Sequence, residues 1–258
     1  MVRRPLGNHH HGPDTLLVTS TETDSETMEL LRELITRTRV VLWDFDGPIC
    51  RLFAGHTADG VADGLVGWLE ARGMRDLLTE DERKSLDPHF VLRAVHRARP
   101  GSDLVAELEE ILTQQELKAV RSAWPTPWAD PVIRTWAALG VRLAITTNNA
   151  PRVVRAYLSG RGLESCFAPH IYGRTPQLHL LKPHPHSLNI ALRAMGSAPA
   201  DALMIGDAAT DFEAACRAGV PFLGYARNGD KAQSLRAAGV TAMVGTLEPV
   251  LTALRAHA

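Results

Sequence analysis

The spacing of hydrophobic residues changes twice along the chain. Val40–Trp43 is a continuous apolar run of strand length, which is typical of a strand covered on both faces, as in a parallel sheet. Between residues 57 and 123 the apolar residues recur at helical spacing, and no segment has a convincing strand pattern. From residue 130 onward, strand and helix patterns alternate to the end of the chain. This alternation predicts a doubly wound α/β fold with a parallel sheet and an all-helical insertion.

The predicted elements outside the insertion point to one edge of the sheet as the place for function. Helices are predicted at residues 26–37, 130–139, 153–159, 187–195, 211–218, 233–238 and 247–256. After the first strand, further strands are predicted at residues 141–146, 170–172, 202–205, 220–225 and 241–244. Residues 124–128 contain two prolines and are predicted to be a stiff linker that returns from the insertion. Ligands bind at the carboxyl ends of the strands in such sheets, so the residues that follow each strand are the candidates for function.

The composition is that of an ordinary soluble globular protein. The chain has 258 residues, of which 45% are hydrophobic and 22% are charged, and its net charge is −1. This balance predicts no nucleic-acid partner, and no apolar run approaches the ~20 residues of a membrane span, so no membrane partner is expected either. Residues 1–24 lack a signal-peptide pattern, which predicts a cytoplasmic protein with a flexible N-terminus and a solvated tract at His9–His11.

The three cysteines do not indicate a disulfide framework or a zinc site. Cys50, Cys166 and Cys216 are widely scattered and form no CxxC pair, which suits a reducing compartment. Cys50 lies close to two aspartates and can be interpreted either as a nucleophile or as a small buried thiol. We favour the buried thiol because the sequence places no histidine beside it.

Charged and polar residues directly follow several of the predicted strands. They are Asp44, Asp46, Thr147, Asn148, Asp207 and Asp211, and Lys182 precedes a helix in the segment LLKPHP. Taken singly, each could be a turn, capping or exposed loop residue. Together they would place several like charges at one sheet edge, where a cation is needed to offset their repulsion. Carboxylate ligands favour Mg²⁺, and a lysine and a threonine hydroxyl beside that ion would suit a phosphate group.

The ordered set of short motifs resembles a known family. The segments DFDG, TTNN, LLKPHP and GDAATD occur in the order and spacing of the haloacid dehalogenase-like hydrolase superfamily, over roughly residues 38–250. The resemblance implies a Rossmann-like α/β core at residues 25–55 and 125–258. It also implies that residues 56–124 form the small helical cap of that superfamily's first subclass.

The resemblance also implies a catalytic role for both aspartates of DFDG. Asp44 would be the nucleophile that becomes an aspartyl phosphate, and Asp46 would be the general acid and then the general base. In an extended segment, residues two apart project to the same side, so both carboxyl groups can reach one reacting centre. Mg²⁺ would be held by the carboxylates of Asp44 and Asp207 and by the backbone carbonyl of Asp46.

Further residues would bind the phosphate or complete the metal site. Thr147 and Asn148 would bind the phosphate, Thr147 through its hydroxyl, with Thr146 as the competing choice for that hydroxyl. Lys182 would neutralise charge on the transferring phosphoryl group. Asp211 would be either a metal-shell ligand or the residue that orients Lys182.

One position departs from the family pattern, and the substrate is less well defined. Pro48 stands where the family usually has threonine after the glycine, which removes a hydroxyl and a backbone donor and leaves the substrate of this chain open. Arg51 and His56 lead into the cap and are candidates for substrate contact, with hinge or surface roles as the alternative.

The implied activity is a Mg²⁺-dependent phosphatase that acts on a small phosphorylated metabolite. A dehalogenase would lack an aspartate at position 46. A phosphomutase keeps both aspartates and remains an alternative, as does a catalytically silent binding or regulatory protein on the same scaffold.

Overall fold

The computed structural model describes residues 20–257 of the chain. Eight strands are present there: β1 Val40–Trp43, β2 Cys50–Arg51, β3 Trp124–Pro125, β4 Arg142–Thr146, β5 Ile171–Tyr172, β6 Ala202–Gly206, β7 Phe222–Tyr225 and β8 Met243–Val244. Six of them form one parallel sheet in the order β5-β4-β1-β6-β7-β8. The predicted doubly wound α/β fold is therefore confirmed, with the first strand at the centre of the sheet.

Twelve α-helices are assigned in the described part of the chain. They are α1 Ser20–Arg37, α2 Ala58–Glu70, α3 Glu80–Arg83, α4 Pro88–Ala98, α5 Asp103–Val120, α6 Ala129–Ala138, α7 Pro151–Arg161, α8 Glu164–Phe167, α9 His186–Ala194, α10 Ala209–Ala218, α11 Gly229–Ala237 and α12 Glu248–His257. Short 3-10 turns occur at Arg75–Leu77, Leu178–Leu180 and Pro199–Asp201.

Helices cover both faces of the sheet and bury β1 completely. Successive side chains of a strand point to opposite faces, and accordingly Val41 and Trp43 pack into one apolar core while Val40 and Leu42 pack into the other. The first core is completed mainly by α1, α6, α7 and α12, and the second by α9, α10 and α11. The expectation that the VVLW run is a fully covered strand is confirmed, and its burial holds the residues that follow it rigidly.

The helical insertion consists of α2 to α5 and has its own apolar core. Its ends are joined by a two-stranded antiparallel sheet, in which Cys50 pairs with Pro125 and Arg51 pairs with Trp124. Apolar residues of the insertion pack together with Leu178 and Leu181, which belong to the α/β part of the chain. The domain boundaries at residues 56 and 124 stay a prediction, and we call residues 56–124 the cap below.

Several predicted bounds differ from those observed. The segment 124–128 was expected to be only a linker, but its first two residues form β3, because the chain must pair with the outgoing strand where the insertion closes. Helix α10 begins two residues earlier than predicted and α11 four residues earlier. Helix α1 begins at Ser20, within the N-terminal segment predicted to be flexible, whereas His9–His11 lies outside the described residues.

The turn after β1 is tight and depends on Gly47. This residue has a φ angle of +131°, which side-chain-bearing residues rarely adopt, and a Cβ atom there would lie 2.4 Å from the Cγ atom of Asp207. The amide of Gly47 donates to the carbonyl of Cys50 at 2.6 Å, and the hydroxyl of Thr126 donates to the carbonyl of Gly47. Glycine is therefore required for Asp207 to approach the loop that carries the two aspartates.

Among the described helices, none is long and apolar enough to cross a membrane. The cytoplasmic location stays a prediction.

Candidate active site

The carboxyl ends of β1 and β6 bring three aspartates together. Asp44 directly follows β1, and its amide donates to the carbonyl of Ile205 on the neighbouring strand β6 at 2.8 Å. Asp207 directly follows β6, and Asp211 lies in the first turn of α10. Carboxylate oxygens of these three aspartates lie within 4.8 Å of one another, and all three residues are buried. The predicted gathering of acids at one sheet edge is present in the structure.

Lys182 lies between two of these carboxylates. Its Nζ atom is 2.6 Å from Oδ1 of Asp44 and 2.6 Å from Oδ1 of Asp211, and it donates to the carbonyl of Thr146 at 2.9 Å. Burial alone would lower the pKa of this amine, but Asp211 and Asp44 raise it above its ordinary value. Lys182 is therefore a fixed ammonium group, of the kind that can neutralise phosphoryl oxygens.

Asn148 holds the backbone of the Lys182 loop. The amide of Lys182 donates to Oδ1 of Asn148 at 2.9 Å, and Nδ2 of Asn148 donates to the carbonyl of Lys182 at 3.2 Å. Both polar ends of this side chain are thus used to position the lysine. Asn148 was predicted to bind phosphate, and it does line the cavity described below. Its side-chain partner in the structure, however, is the backbone of Lys182.

Asp211 also has defined partners on both carboxylate oxygens. Oδ1 contacts Lys182, whereas Oδ2 accepts hydrogen bonds from the amides of Asp207 and Ala208 at 3.1 Å each. The sequence left two roles open for Asp211, as a metal-shell ligand or as the residue that orients Lys182. These contacts favour the second role.

Asp46 is the second carboxyl group of the DFDG segment and lies beside the three-aspartate cluster. Its Oδ1 atom accepts a hydrogen bond from the amide of Leu52 at 2.8 Å. Burial, followed by the charge of Asp207, raises the pKa of Asp46 to about 6. A carboxyl group with this pKa can carry a proton close to neutral pH, as a general acid must.

The environment of the aspartate cluster fits a divalent cation. Burial raises the pKa of Asp44, Lys182 opposes that shift, and Asp211 and Asp207 add to it. The pKa of Asp207 is also raised, chiefly by burial, although Lys231 lies 2.8 Å from its Oδ2 atom and opposes the shift. With Asp46, four aspartates lie here beside two lysines, so the ionised carboxylates carry negative charge that the lysines do not offset. Their oxygen atoms are the ligands that Mg²⁺ prefers.

The two neighbouring threonines after β4 differ in their surroundings. The hydroxyl of Thr147 donates to Oδ1 of Asn149 at 3.0 Å, and Thr147 lines the same cavity as the aspartates. The hydroxyl of Thr146 instead contacts the Sδ atom of Met204 at 3.4 Å within the core. Of the two candidates for the phosphate-binding hydroxyl, the structure favours Thr147.

A cavity of about 260 Å³ connects these groups with the cap. It is lined by Asp44, Asp46, Phe53, Ala58, Leu86, Asp87, Pro88, His89, Thr147, Asn148, Asn149, Lys182, Asp207, Ala208, Thr210, Asp211 and Lys231. The cavity brings together the predicted catalytic, phosphate-binding and metal residues.

The two residues predicted to contact substrate do not line this cavity. The guanidinium of Arg51 lies 5.2 Å from the ring centroid of Trp124, and Arg51 borders an adjacent cavity that also includes Asp46. The Nε2 atom of His56 is 2.9 Å from Oε1 of Gln115 within the cap. Their proposed contact with substrate therefore receives no support from these positions.

Sequence reasoning missed Lys231 and His89. Lys231 lies in the first turn of α11, a helix predicted to begin only later, and Asn228 caps that helix by accepting from the amide of Lys231. An asparagine three residues before a lysine, close after a strand end, could have indicated this earlier start. No local pattern distinguishes His89 from other cap histidines.

Cys50 is buried, and its thiol lies 3.8 Å from the carbonyl of Phe45. Burial, followed by the charges of Asp46 and Asp44, raises the pKa of this thiol above its ordinary value. These surroundings disfavour the thiolate that a nucleophile requires.

Comparisons with known proteins agree with the geometry. A model of the haloacid dehalogenase-like hydrolase family matches residues 38–219. Phosphoglycolate phosphatase from Rhodospirillum rubrum is 28% identical over 203 residues, which cover 73% of this chain and 81% of that protein. The phosphoglycolate phosphatase from Colwellia psychrerythraea is 30% identical over 141 residues, covering 50% of this chain and 61% of that protein.

The fold is also shared with solved structures. The crystal structure of CbbY from Rhodobacter sphaeroides in complex with phosphate matches with a TM-score of 0.61 at 18% identity, covering 84% of this chain and 99% of that one. The relatives confirm the prediction of an enzyme of the phosphatase type. Because the family model spans most of the described residues, the chain belongs to the haloacid dehalogenase-like hydrolases.

Proposed function

We propose that this protein is a Mg²⁺-dependent phosphatase that hydrolyses a small phosphorylated metabolite through an aspartyl phosphate on Asp44. The observation that carries this proposal is the arrangement around Asp44, whose carboxylate lies 2.6 Å from the buried ammonium of Lys182 and beside Asp207 and Asp211. The relatives named phosphoglycolate phosphatases make phosphoglycolate the first substrate to test.

The residues of this chain can carry both halves of the reaction. A carboxylate oxygen of Asp44 bonds to phosphorus as the bond to the leaving oxygen breaks, and Asp46 gives its proton to that oxygen. Asp46 then takes a proton from water as this water attacks phosphorus, which releases phosphate and restores Asp44. Lys182 and the hydroxyl of Thr147 hold the phosphoryl oxygens throughout.

Mg²⁺, when bound by the carboxylates of Asp44 and Asp207 and the backbone carbonyl of Asp46, would offset the negative charge of the phosphoryl group. Removal of the metal is therefore expected to lower the hydrolysis of phosphoglycolate and of an aryl phosphate by more than about 100-fold. We would measure released phosphate with Mg²⁺, with EDTA, and after Mg²⁺ is restored. Full activity in EDTA would contradict the metal requirement, and conversion of a phosphosugar into its isomer without phosphate release would identify a phosphomutase.

Asp46→Asn is expected to separate leaving-group protonation from the attack on phosphorus. For an alkyl phosphate such as phosphoglycolate, kcat/KM should fall by about 10²- to 10⁴-fold, because the alkoxide leaving group needs a proton. For nitrophenyl phosphate, whose phenolate leaves without one, the first turnover should be much less affected. Rapid mixing would detect a burst of nitrophenolate before slow turnover, and an equal loss with both esters would argue against Asp46 as the acid.

A further inference from the structure

A buried carboxylate, Glu116, joins the cap to the loop after β4. Glu116 lies on α5 and is 0% exposed. Its Oε1 and Oε2 atoms accept from Nη1 and Nη2 of Arg174 at 2.8 and 3.0 Å, a bidentate pair of the strongest kind. Oε1 also accepts from Nδ2 of Asn149 at 2.9 Å. The position of this cap residue is therefore fixed by the loop that carries Thr147.

Glu116 in turn fixes the ring of His89, which projects from the first turn of α4. The Nε2 atom of His89 is 3.0 Å from Oε1 of Glu116. Burial would raise the pKa of Glu116, but Arg174 and His89 lower it to about 2. Burial would lower the pKa of His89, but the neighbouring carboxylates of Asp87 and Glu116 raise it to about 9. His89 is thus an imidazolium at neutral pH.

The second ring nitrogen of His89 lacks a strong partner. Nδ1 is 3.5 Å from Oδ1 of Asp87, which is longer than an ordinary hydrogen bond to nitrogen. The same Oδ1 atom already caps α4 by accepting from the amide of His89 at 2.8 Å, and the Asp87 side chain is 56% exposed. A better-placed acceptor in the cavity can therefore accept a hydrogen bond from Nδ1.

The basic side chains that line the cavity fall into two groups. Lys182 and Lys231 are paired with the aspartates at the sheet edge. Among the cap residues that line the cavity, His89 is the one basic side chain, and its neighbour Asp87, whose side chain is more than half exposed, is the one acidic side chain. The phosphoryl group belongs beside Asp44 and Lys182, so the leaving group extends toward the cap, where His89 is the group that can bind an anion in place of Asp87.

We propose that His89 determines specificity by binding the carboxylate of a small phosphorylated carboxylic acid, and that Glu116 and Arg174 are positioning residues for it. This inference rests on the proposed phosphatase function. It identifies the residue that would distinguish a phosphorylated acid from an uncharged phosphate ester of the same size.

The test compares two substrates of matched shape. One is phosphoglycolate, and the other is its amide analogue, in which an uncharged carboxamide replaces the carboxylate. The wild-type protein should favour phosphoglycolate in kcat/KM. In His89→Gln, kcat/KM for phosphoglycolate should fall about 10- to 100-fold through loss of a charge-assisted hydrogen bond, mainly by a rise in KM. The value for the amide analogue should change by less than about threefold.

Two further variants sharpen the result. His96→Gln changes another histidine of α4, which borders a separate groove with Phe90 and Arg93, and should leave the preference of the wild type unchanged. Glu116→Gln keeps the size of the buried side chain but removes its charge, and should lower the preference for the carboxylate as His89→Gln does. The ratio of kcat/KM for phosphoglycolate to kcat/KM for the amide analogue would not change if a variant merely lost part of its folded protein.

The outcomes separate this inference from the proposed function. If the wild-type protein hydrolyses aryl phosphates but does not favour phosphoglycolate over the amide, the role of His89 is overturned and the phosphatase function stands. The role of His89 is also overturned if His89→Gln lowers kcat/KM equally for both substrates, or for neither of them. If the wild-type protein hydrolyses no phosphomonoester in Mg²⁺, the proposed function fails as well.

Discussion

Asp44→Asn is expected to lower kcat for phosphomonoester hydrolysis by at least about 10⁴-fold, because an amide lacks the anionic oxygen that attacks phosphorus. The substituted side chain has almost the same shape and keeps an oxygen that can accept from Lys182, which lies 2.6 Å from Oδ1 in the wild type. The loss should therefore reflect chemistry and not a displaced loop. Steady-state phosphate release, measured to the detection limit, would test it.

The stability of the same variant provides an internal control. Asp44 is 7% exposed and is crowded by Asp207 and Asp211, so removing its charge should relieve repulsion in the absence of Mg²⁺. The thermal midpoint of metal-free Asp44→Asn should thus equal or exceed that of the wild type. Asp63→Asn, at an exposed position of α2, should change neither activity nor midpoint. Activity of Asp44→Asn within tenfold of the wild type would rule out Asp44 as the nucleophile.

Arg174→Met is expected to destabilise the folded protein by about 3–5 kcal/mol, because it leaves the buried charge of Glu116 without its main partner. The Arg174 side chain is 0% exposed and makes two contacts with Glu116, one with Glu109 at 2.9 Å and one with the hydroxyl of Thr113 at 2.7 Å. Urea unfolding would measure this loss as a lower midpoint. Activity should fall too, because Arg174 also donates to the carbonyl of Asn148.

Two comparisons test the physical reason for that loss. Arg37→Met removes a partner of Glu33 at a pair whose side chains are 48% and 69% exposed, and should cost less than about 1 kcal/mol. The double variant Arg174→Met with Glu116→Met replaces both buried charges by apolar groups and should recover much of the lost stability. If Arg174→Met were as stable as Arg37→Met, water would have to reach the Arg174–Glu116 pair already.

The α/β fold and much of the candidate site were predictable because both depend on local patterns. The apolar run of β1 and the alternation after residue 130 indicate covered strands, and parallel strands place the residues after them at one edge. The positions of Asp44, Asp207 and Lys182 follow from this rule together with the motif order. Their contacts in the structure agree with the expected gathering.

The cap side of the cavity was not predictable in the same way. Glu116 lies on α5, where the sequence shows only the pattern of the apolar residues. Its burial depends on Arg174, which lies far along the chain in the loop after β5. A buried charge is stable only with a partner supplied by the tertiary fold, so no window of sequence marks it. Arg51 and His56 were chosen because they are close in sequence to the catalytic loop, whereas His89 reaches the cavity from a distant helix.

The two-stranded sheet at the base of the insertion has a consequence for chimaeric proteins. Because β2 and β3 pair at the base of the cap, the two junctions are adjacent, and the connections alone would allow a foreign helical segment to be transplanted there. Arg174 opposes this freedom, since a foreign cap without an acid at the position of Glu116 would leave its guanidinium buried and unpaired. A foreign cap is therefore expected to be accepted only if residue 174 is changed together with it.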